Sequence, residues 1–470
     1  MTESELIAIL QAHNQALQAQ SMVQAQHILV LEEKVMTLLE LLQKQGVNRA
    51  AVRKDSHNSS LPSSSDLAPR PKSLREPTTR KPGGQPGHAG TTLTMSSTPH
   101  TITDLKSAFC SRCGQSLTGV AFVLKARRQM VELPPIEPLY EEFRQYSCHC
   151  PGCQHQQVAD YPSGVNAPIQ YGSSVRALVS YLSVYQYIPF KRLQNLFGTV
   201  FSLPLSEGSI GNLLNDSARQ CQGVYEAIKA QVAQSAVVGA DETGANVKGK
   251  KWWRFAGAIW AWQNALNTFI VASDNRGSAT IDAVWPEGLP TATLVSDRWA
   301  AHLKMSASHQ LCLAHLLRDV IFLSETEAHR FATEFKAFVL AVFGLCKVLR
   351  LEQAPCESGS ARSVALEGSL NALLAVVIDK TTHPQTAIFQ ASMVKYRNYL
   401  LPCLYNLEIP PDNNGSERTI RTIKIKQKVS GQFRSGQAAF CVIRSVIDTL
   451  LKRQVEVLPC LNQILKLQPV

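Results

Sequence analysis

The spacing of apolar positions changes several times along the chain, and each change marks the edge of an element. From residue 7 to 42 it is heptad: Ile7, Asn14, Ser21, Ile28, Val35 and Leu42 form one row, Leu10, Leu17, Gln24, Leu31 and Leu38 the other. Eight of these eleven are apolar, so the stripe stays on one helix face and predicts a coiled coil over 1–45 that pairs two copies of the chain. An amphipathic helix packed on its own domain is the alternative reading. Over 46–100 the periodicity disappears into Pro, Gly, Ser and basic residues, the pattern of a linker. Residues 101–162 hold cysteine pairs around strand-like Val123, Leu124, Met130 and Val131. From 163 to 232 the spacing is helical, with Ser206 as an N-cap before Ile210, Leu213 and Leu214. Two short helices there have the outline of a helix-turn-helix, a pattern shared with plain bundle packing.

Strand patterns fill 233–313: Ala236 to Asp241, Trp252 to Trp260, Thr268 to Ala272 and, after a crossover, Thr293 to Asp297, with a helical stretch from Ala300. Three antiparallel strands and a fourth after a crossover predict a ribonuclease H-like mixed sheet. Both Asp241 and Asp297 fall at predicted strand ends, where α/β sheets collect ligands and metals. A helical insertion is expected over 314–405. The segment 406–470 carries a turn, a helix opened by Ser416 and Glu417, and a last amphipathic helix from Phe440 to Leu465. The predicted fold class is therefore multidomain α/β.

At 470 residues the chain has room for two to four domains. Lys and Arg exceed Asp and Glu by 11, which favours a polyanionic partner such as DNA. No apolar stretch reaches the ~18 residues of a membrane span. The acidic residues after Met1 do not fit a secretory signal, so the chain is expected in the cytoplasm, associated with the nucleoid. The linker carries a net +4, Arg80 and Lys81 included, and suits a path along phosphates as well as a spacer role.

Of the twelve cysteines, five lie between Cys110 and Cys153. Cys110 with Cys113 and Cys150 with Cys153 form two C-x2-C knuckles, four thiolates suited to a tetrahedral Zn²⁺ site in a zinc ribbon, with Cys148 and His149 as spare candidates. In the last segment Arg421, Lys424 and Lys428 recur at three- and four-residue steps near Glu417, with Ile420 and Ile423 turned away. A carboxylate flanked by cations suits metal and phosphate together. Lys250, Lys251 and Arg418 complete the expected DNA-contacting set. Cys312 and His315 invite a metal reading too, but two ligands do not make a site, and His315 reads better as orienting a carboxylate or as a core histidine. Glu242 and Asp274 read as ordinary cap or surface acids.

Several stretches, in order, resemble the DDE transposases of bacterial insertion sequences, most closely the insertion-sequence-66 family: Asn58-Ser-Ser with Lys81-Pro-Gly-Gly-Gln-Pro-Gly-His, the cysteine knuckles, Asp241-Glu-Thr, Ser296-Asp297, Cys312-Leu-Ala-His315 and Asp412-Asn-Asn-Gly-Ser-Glu417-Arg. The resemblance implies a catalytic triad of Asp241, Asp297 and Glu417 holding two Mg²⁺ (or Mn²⁺) ions, an enzyme that cleaves and transfers DNA strands at terminal inverted repeats, and accessory proteins as further partners. Arg298-Trp299, where family members often carry Gly-Tyr, and the segment after Lys426 depart from that pattern. Two rival readings are a catalytically inactive zinc-ribbon protein that represses transposition and a nuclease without strand transfer.

Overall fold

The computed structural model describes residues 87, 90, 93–247, 257–433 and 436–467. The predicted coiled coil, nearly all of the linker with Arg80 and Lys81, and Lys250 and Lys251 lie outside them. A five-stranded mixed sheet forms the centre: β3 (Val237–Gly244), β4 (Ala258–Gln263), β5 (Thr268–Ser273), β6 (Thr293–Ser296) and β7 (Ser308–Leu311), in spatial order β5-β4-β3-β6-β7. The β3-β4-β5 meander is antiparallel, and β6 and β7 join parallel. β7 was missed in the sequence, where Ala300 onwards read as helix. Residues 302–304 form a single 3₁₀ turn, and Ser308–Leu311 then enters the sheet edge.

β4 reads Ala-Ile-Trp-Ala-Trp-Gln, and its first five residues are buried because both faces of the sheet are covered. Strand alternation divides them between two cores. Trp260 and Trp262 stack, with centroids 5.7 Å apart, over the side of α4 (Gln222–Ala233) and the crossover helix α5 (Ser278–Val284). Ile259 and Ala261 meet α2 (Phe190–Val200), α3 (Glu207–Gln220) and α12 (Gln437–Lys452) on the other side. Truncating either fully buried tryptophan would cost about 3–5 kcal/mol. The segment 163–232 thus packs on the sheet. The pair with helix-turn-helix spacing, α2 and α3, buries Leu193, Phe197, Ile210 and Leu213 in that packing, and the Ser206 hydroxyl caps α3 by accepting from Ser209 N–H as expected. α1 (Ser173–Ser180) and a π-turn (Tyr181–Tyr185) complete this layer.

The insertion follows β7 as α6 (Leu313–Thr326), α7 (Arg330–Glu352), α8 (Ala361–Leu374), α9 (Pro384–Lys395) and the short α10 (Pro402–Tyr405). Its core joins Phe331, Phe335 and Val342 of α7 to Leu316 and Val320 of α6 and Phe389 of α9. Val295 and Leu311 of the sheet belong to the same cluster, which roots the insertion on the β6-β7 edge. α11 (Asn414–Ser430) then crosses the sheet, and the expected last helix breaks into α12 and α13 (Val457–Ile464) at a left-handed Gln454. Among the described residues no helix is long and apolar enough to cross a membrane.

Ahead of this body, residues 93–162 are mostly exposed and carry little helix or strand. The strands expected near Val123 and Met130 are absent among the described residues. Pairing is confined to the knuckles: a Phe109–Ser116 bridge around the first, and β1 (Ser147–His149) with β2 (Gln156–Val158) around the second.

Candidate active site

β3 pairs with β6 in steps of 56 residues, Gly239 facing Val295. Continuing that register sets Asp241 level with Asp297, the residue after β6. Asp241 lies inside β3, three residues before its end, but beyond the last residue paired with β6. The third carboxylate comes from the first turn of α11, where Glu417 N–H donates to Asn413 C=O at 3.1 Å. Burial pushes the Asp241 carboxyl well above its usual range, and the charges of Glu242, Asp297 and Glu417 push the same way. Three acids from remote stretches therefore approach one another at the carboxyl edge of the sheet, closely enough for their charges to act on Asp241, although their oxygens do not all lie within 4.8 Å of one another.

Close packing sets this meeting point. The Asn413 amide donates to Ala240 C=O at 2.7 Å, and its backbone N–H points at Cys312 Sγ at 3.1 Å. Gly239 and Gly415 leave no room for side chains: a Cβ on Gly239 would stand 2.5 Å from Gln263 Nε2 and 2.6 Å from Ser416 Oγ, and one on Gly415 2.6 Å from Gln263 Nε2. Ser416 does not open α11: the helix begins at Asn414 with Asn413 at the N-cap position, and Ser416 is fully buried inside its first turn, accepting from Gln263 Nε2 at 3.5 Å.

Glu417 is oriented from α6. Arg318 donates to its Oε1 at 2.8 Å, and His315 Nε2 lies 3.5 Å from the same oxygen. Burial, then the Arg318 charge, lowers the His315 pKa, so near neutral pH the ring is an uncharged neighbour of the carboxylate. Cys312, His315 and Glu417 hold their ligand atoms within 4.8 Å of one another and could accept a metal ion. Burial keeps Cys312 a thiol by raising its pKa to about 12, and the Arg318 guanidinium occupies the Glu417 oxygen, so both oppose a cation there.

Asp297 accepts from Trp299 N–H at 2.9 Å. Arg298 between them bonds Asp319 on α6 and Ser392 on α9. Glu242, read from sequence as a cap or surface acid, is buried instead. Strand alternation turns it to the face opposite Asp241, where it pairs with Arg276 and, at 2.7 Å, with His302 Nε2. Burial works against its charge, but His302 and Arg276 outweigh burial and hold its pKa below the ordinary value. Period-two alternation within β3 was the signal that could have found it. Arg318 and Asn413 carried no comparable signal, since their partners lie 99 and 173 residues away.

Among the expected DNA-contacting residues, Arg418, Arg421 and Lys428 are exposed on α11. Lys424 differs, being half-buried with its amine donating to Gly244 C=O at 3.0 Å; Ile423 is buried in the core. At each cysteine knuckle the turn is formed. Backbone N–H groups of Arg112 and Cys113 lower the Cys110 thiol pKa, and those of Cys153 and Gly152 lower that of Cys150. The four sulfurs are not gathered to one point, the Cys312 group being the only cluster of three or more such ligand atoms among the described residues.

Comparison with curated proteins finds no match. A family model described as the Transposase IS66 family matches residues 168–440, more than half of the chain. That span runs from ahead of α1 into α12 and holds the sheet, the helical insertion and all three converging acids, so the chain belongs to the IS66 family of transposases.

Proposed function

We propose that this transposase binds the terminal inverted repeats of an insertion sequence and performs strand cleavage and transfer with Asp241, Asp297 and Glu417 as its catalytic carboxylates. The observation that supports this reading most is their approach at one sheet edge, where burial first, and then the charges of Glu242, Asp297 and Glu417, push the Asp241 pKa up. The strand order, a meander flanked by parallel crossover strands, fits a ribonuclease H-like core. Three carboxylates offer the hard oxygen donors that Mg²⁺ or Mn²⁺ takes, so the residues present fit divalent cations in donor type. Bound there, such ions supply charge stabilisation and lower the pKa of the attacking oxygen in an in-line phosphoryl transfer.

The chain's own residues do the positioning. Arg318 fixes one Glu417 oxygen, with the His315 ring 3.5 Å from it, Trp299 N–H fixes one Asp297 oxygen, and Glu242 N–H fixes Asp241 Oδ1 at 2.9 Å. Exposed Arg418, Arg421 and Lys428 suit DNA phosphates along α11. In the same reading the knuckles at Cys110, Cys113, Cys150 and Cys153 hold one Zn²⁺, and the coiled coil over 1–45 pairs two copies to bring two DNA ends together.

The test is incubation of full-length protein with the DNA flanking its own coding region and Mg²⁺, with nicks mapped by strand. Asp241→Asn, Asp297→Asn and Glu417→Gln should each lose cleavage by roughly 10³-fold or more and keep DNA binding. Wild-type nicking by Glu417→Gln would remove the triad assignment. Binding without cleavage by the unaltered chain would favour the repressor reading.

A further inference from the structure

Trp299 stands two residues from Asp297 and is 42% exposed. A large aromatic ring left open to water normally swings freely, yet this one is held at three points. Its backbone N–H donates to Asp297 Oδ1 at 2.9 Å, and its indole N–H to Arg276 C=O at 3.2 Å. The Arg276 guanidinium lies 5.3 Å from the ring centroid. Arg276 is itself anchored on buried Glu242, which His302 holds from the other side. The ring is thus a pre-oriented, partly exposed π-surface at the rim of the carboxylate cluster, with the Arg276 guanidinium lying over it and holding it by cation–π attraction.

We propose that Trp299 is a base-stacking residue that receives an unpaired nucleobase next to the phosphodiester being cleaved. This rests on the strand-cleavage reading above. The chemistry that fits the surface is a heteroaromatic ring on a negatively charged backbone. A nucleobase offers the π-face, and the neighbouring phosphate suits the carboxylate-held cations and the exposed face of α11. The last pair of a duplex end is the one most easily opened, and opening it frees a base beside the phosphate held at the acids. An aromatic platform offsets that unpairing by restacking the base on protein.

The probe is a duplex of the DNA flanking the coding region, with 2-aminopurine placed in turn at each terminal position, bound to full-length protein. Unaltered protein should change the fluorescence at one position. Trp299→Ala should abolish that change and raise the KM for cleavage by roughly 5- to 150-fold, the range expected for one stacked base. Trp299→Phe should retain most of both. An abasic nucleotide at the same position should narrow the gap between Trp299→Ala and the parent, because no base then needs a platform, whereas a merely structural role would leave the gap intact. The proposal fails if the unaltered protein gives no fluorescence change, if Trp299→Ala keeps it, or if Phe and the abasic site rescue nothing. Cleavage with a response that is the same in Trp299→Ala would sink the platform and leave the strand-cleavage reading standing. A Trp299-dependent response without cleavage would do the reverse.

Discussion

Adding one methyl group at Gly239 tests whether the contact between sheet and α11 sets the geometry of the acids. Gly239 precedes Asp241 by two residues and faces the same way. A Cβ there would stand 2.5 Å from Gln263 Nε2, 2.6 Å from Ser416 Oγ and 3.0 Å from Asn413 Oδ1. None of the three can swing aside at no cost: Lys452 holds Gln263 Oε1 at 2.6 Å, Asn413 is bonded to Ala240 C=O, and Ser416 is fully buried in the helix. Overpacking of this kind costs about 1–3 kcal/mol, roughly a 5- to 150-fold drop in the ratio of folded to unfolded chain. The cheapest relief is to lift the first turn of α11, which moves Glu417 away from Asp241. A displacement near 1 Å can cost about 10²-fold in rate, so Gly239→Ala should lose far more cleavage than DNA binding. Urea unfolding and nick mapping on the same preparations measure the two effects. Ser416→Ala in the same chain removes one clashing oxygen and should restore part of both, a non-additivity expected of groups in contact. An unchanged urea midpoint with wild-type nicking in Gly239→Ala would refute the close-packing account.

Neutralising Arg421 and Lys428, both exposed, should flatten the salt dependence of DNA binding by about two units of slope, with Lys424→Gln adding little because its amine is spent on Gly244 C=O; titration at several salt concentrations checks this. Burial lowers the Lys426 pKa to about 8, so the folded chain binds this proton less well than the unfolded one, and the penalty is full below pH 8 and relieved as pH rises toward 10.5. Lys426→Met should therefore raise stability at pH 7 by about 1–3 kcal/mol, with the gain shrinking by pH 10, as read from urea midpoints. Purified protein should carry close to one Zn²⁺ by elemental analysis, and Cys113→Ser or Cys153→Ser should lose it while the sheet domain unfolds as before.

What could be read from the chain follows the range of the interactions. Strand alternation and apolar runs are local, so β3, β5, β6 and the helical layers were legible; β4 runs over Ala258–Gln263, later than the Trp252 to Trp260 expected, most of which lies outside the described residues. β7 was not, because Ser-His-Gln-Leu has no alternating apolar signal; His309 and Gln310 are buried through side-chain bonds, the His309 ring Nε2 to Ser306 C=O and the Gln310 amide to Leu400 C=O and Cys403 N–H. The acids at 241, 297 and 417 could be singled out from strand ends, a helix start and the family resemblance. Their supporting residues could not. Glu242 was misread because a carboxylate beside another is surface-like by default, and only its partners, 34 and 60 residues on, make burial tolerable. Lys424 shares the cationic spacing of Arg421 and Lys428, and spacing alone cannot tell a solvated cation from one spent on a strand carbonyl.

The helical insertion gains a physical reason from two adjacent residues of α6. Arg318 bonds Glu417, and Asp319 bonds Arg298, the residue after Asp297. One rigid turn of helix therefore touches the second acid's loop and the third acid itself, although 120 residues separate those acids in sequence. Without such a brace, Asp297 would sit on a strand end and Glu417 on a helix joined to it by a long excursion, and their mutual repulsion would drive them apart. α6 in turn is held by the buried Phe331, Phe335 and Phe389 cluster and by Val295 and Leu311 of the sheet. The insertion thus converts apolar burial, which is strong and non-directional, into a fixed separation between two charges, which no local sequence signal could set.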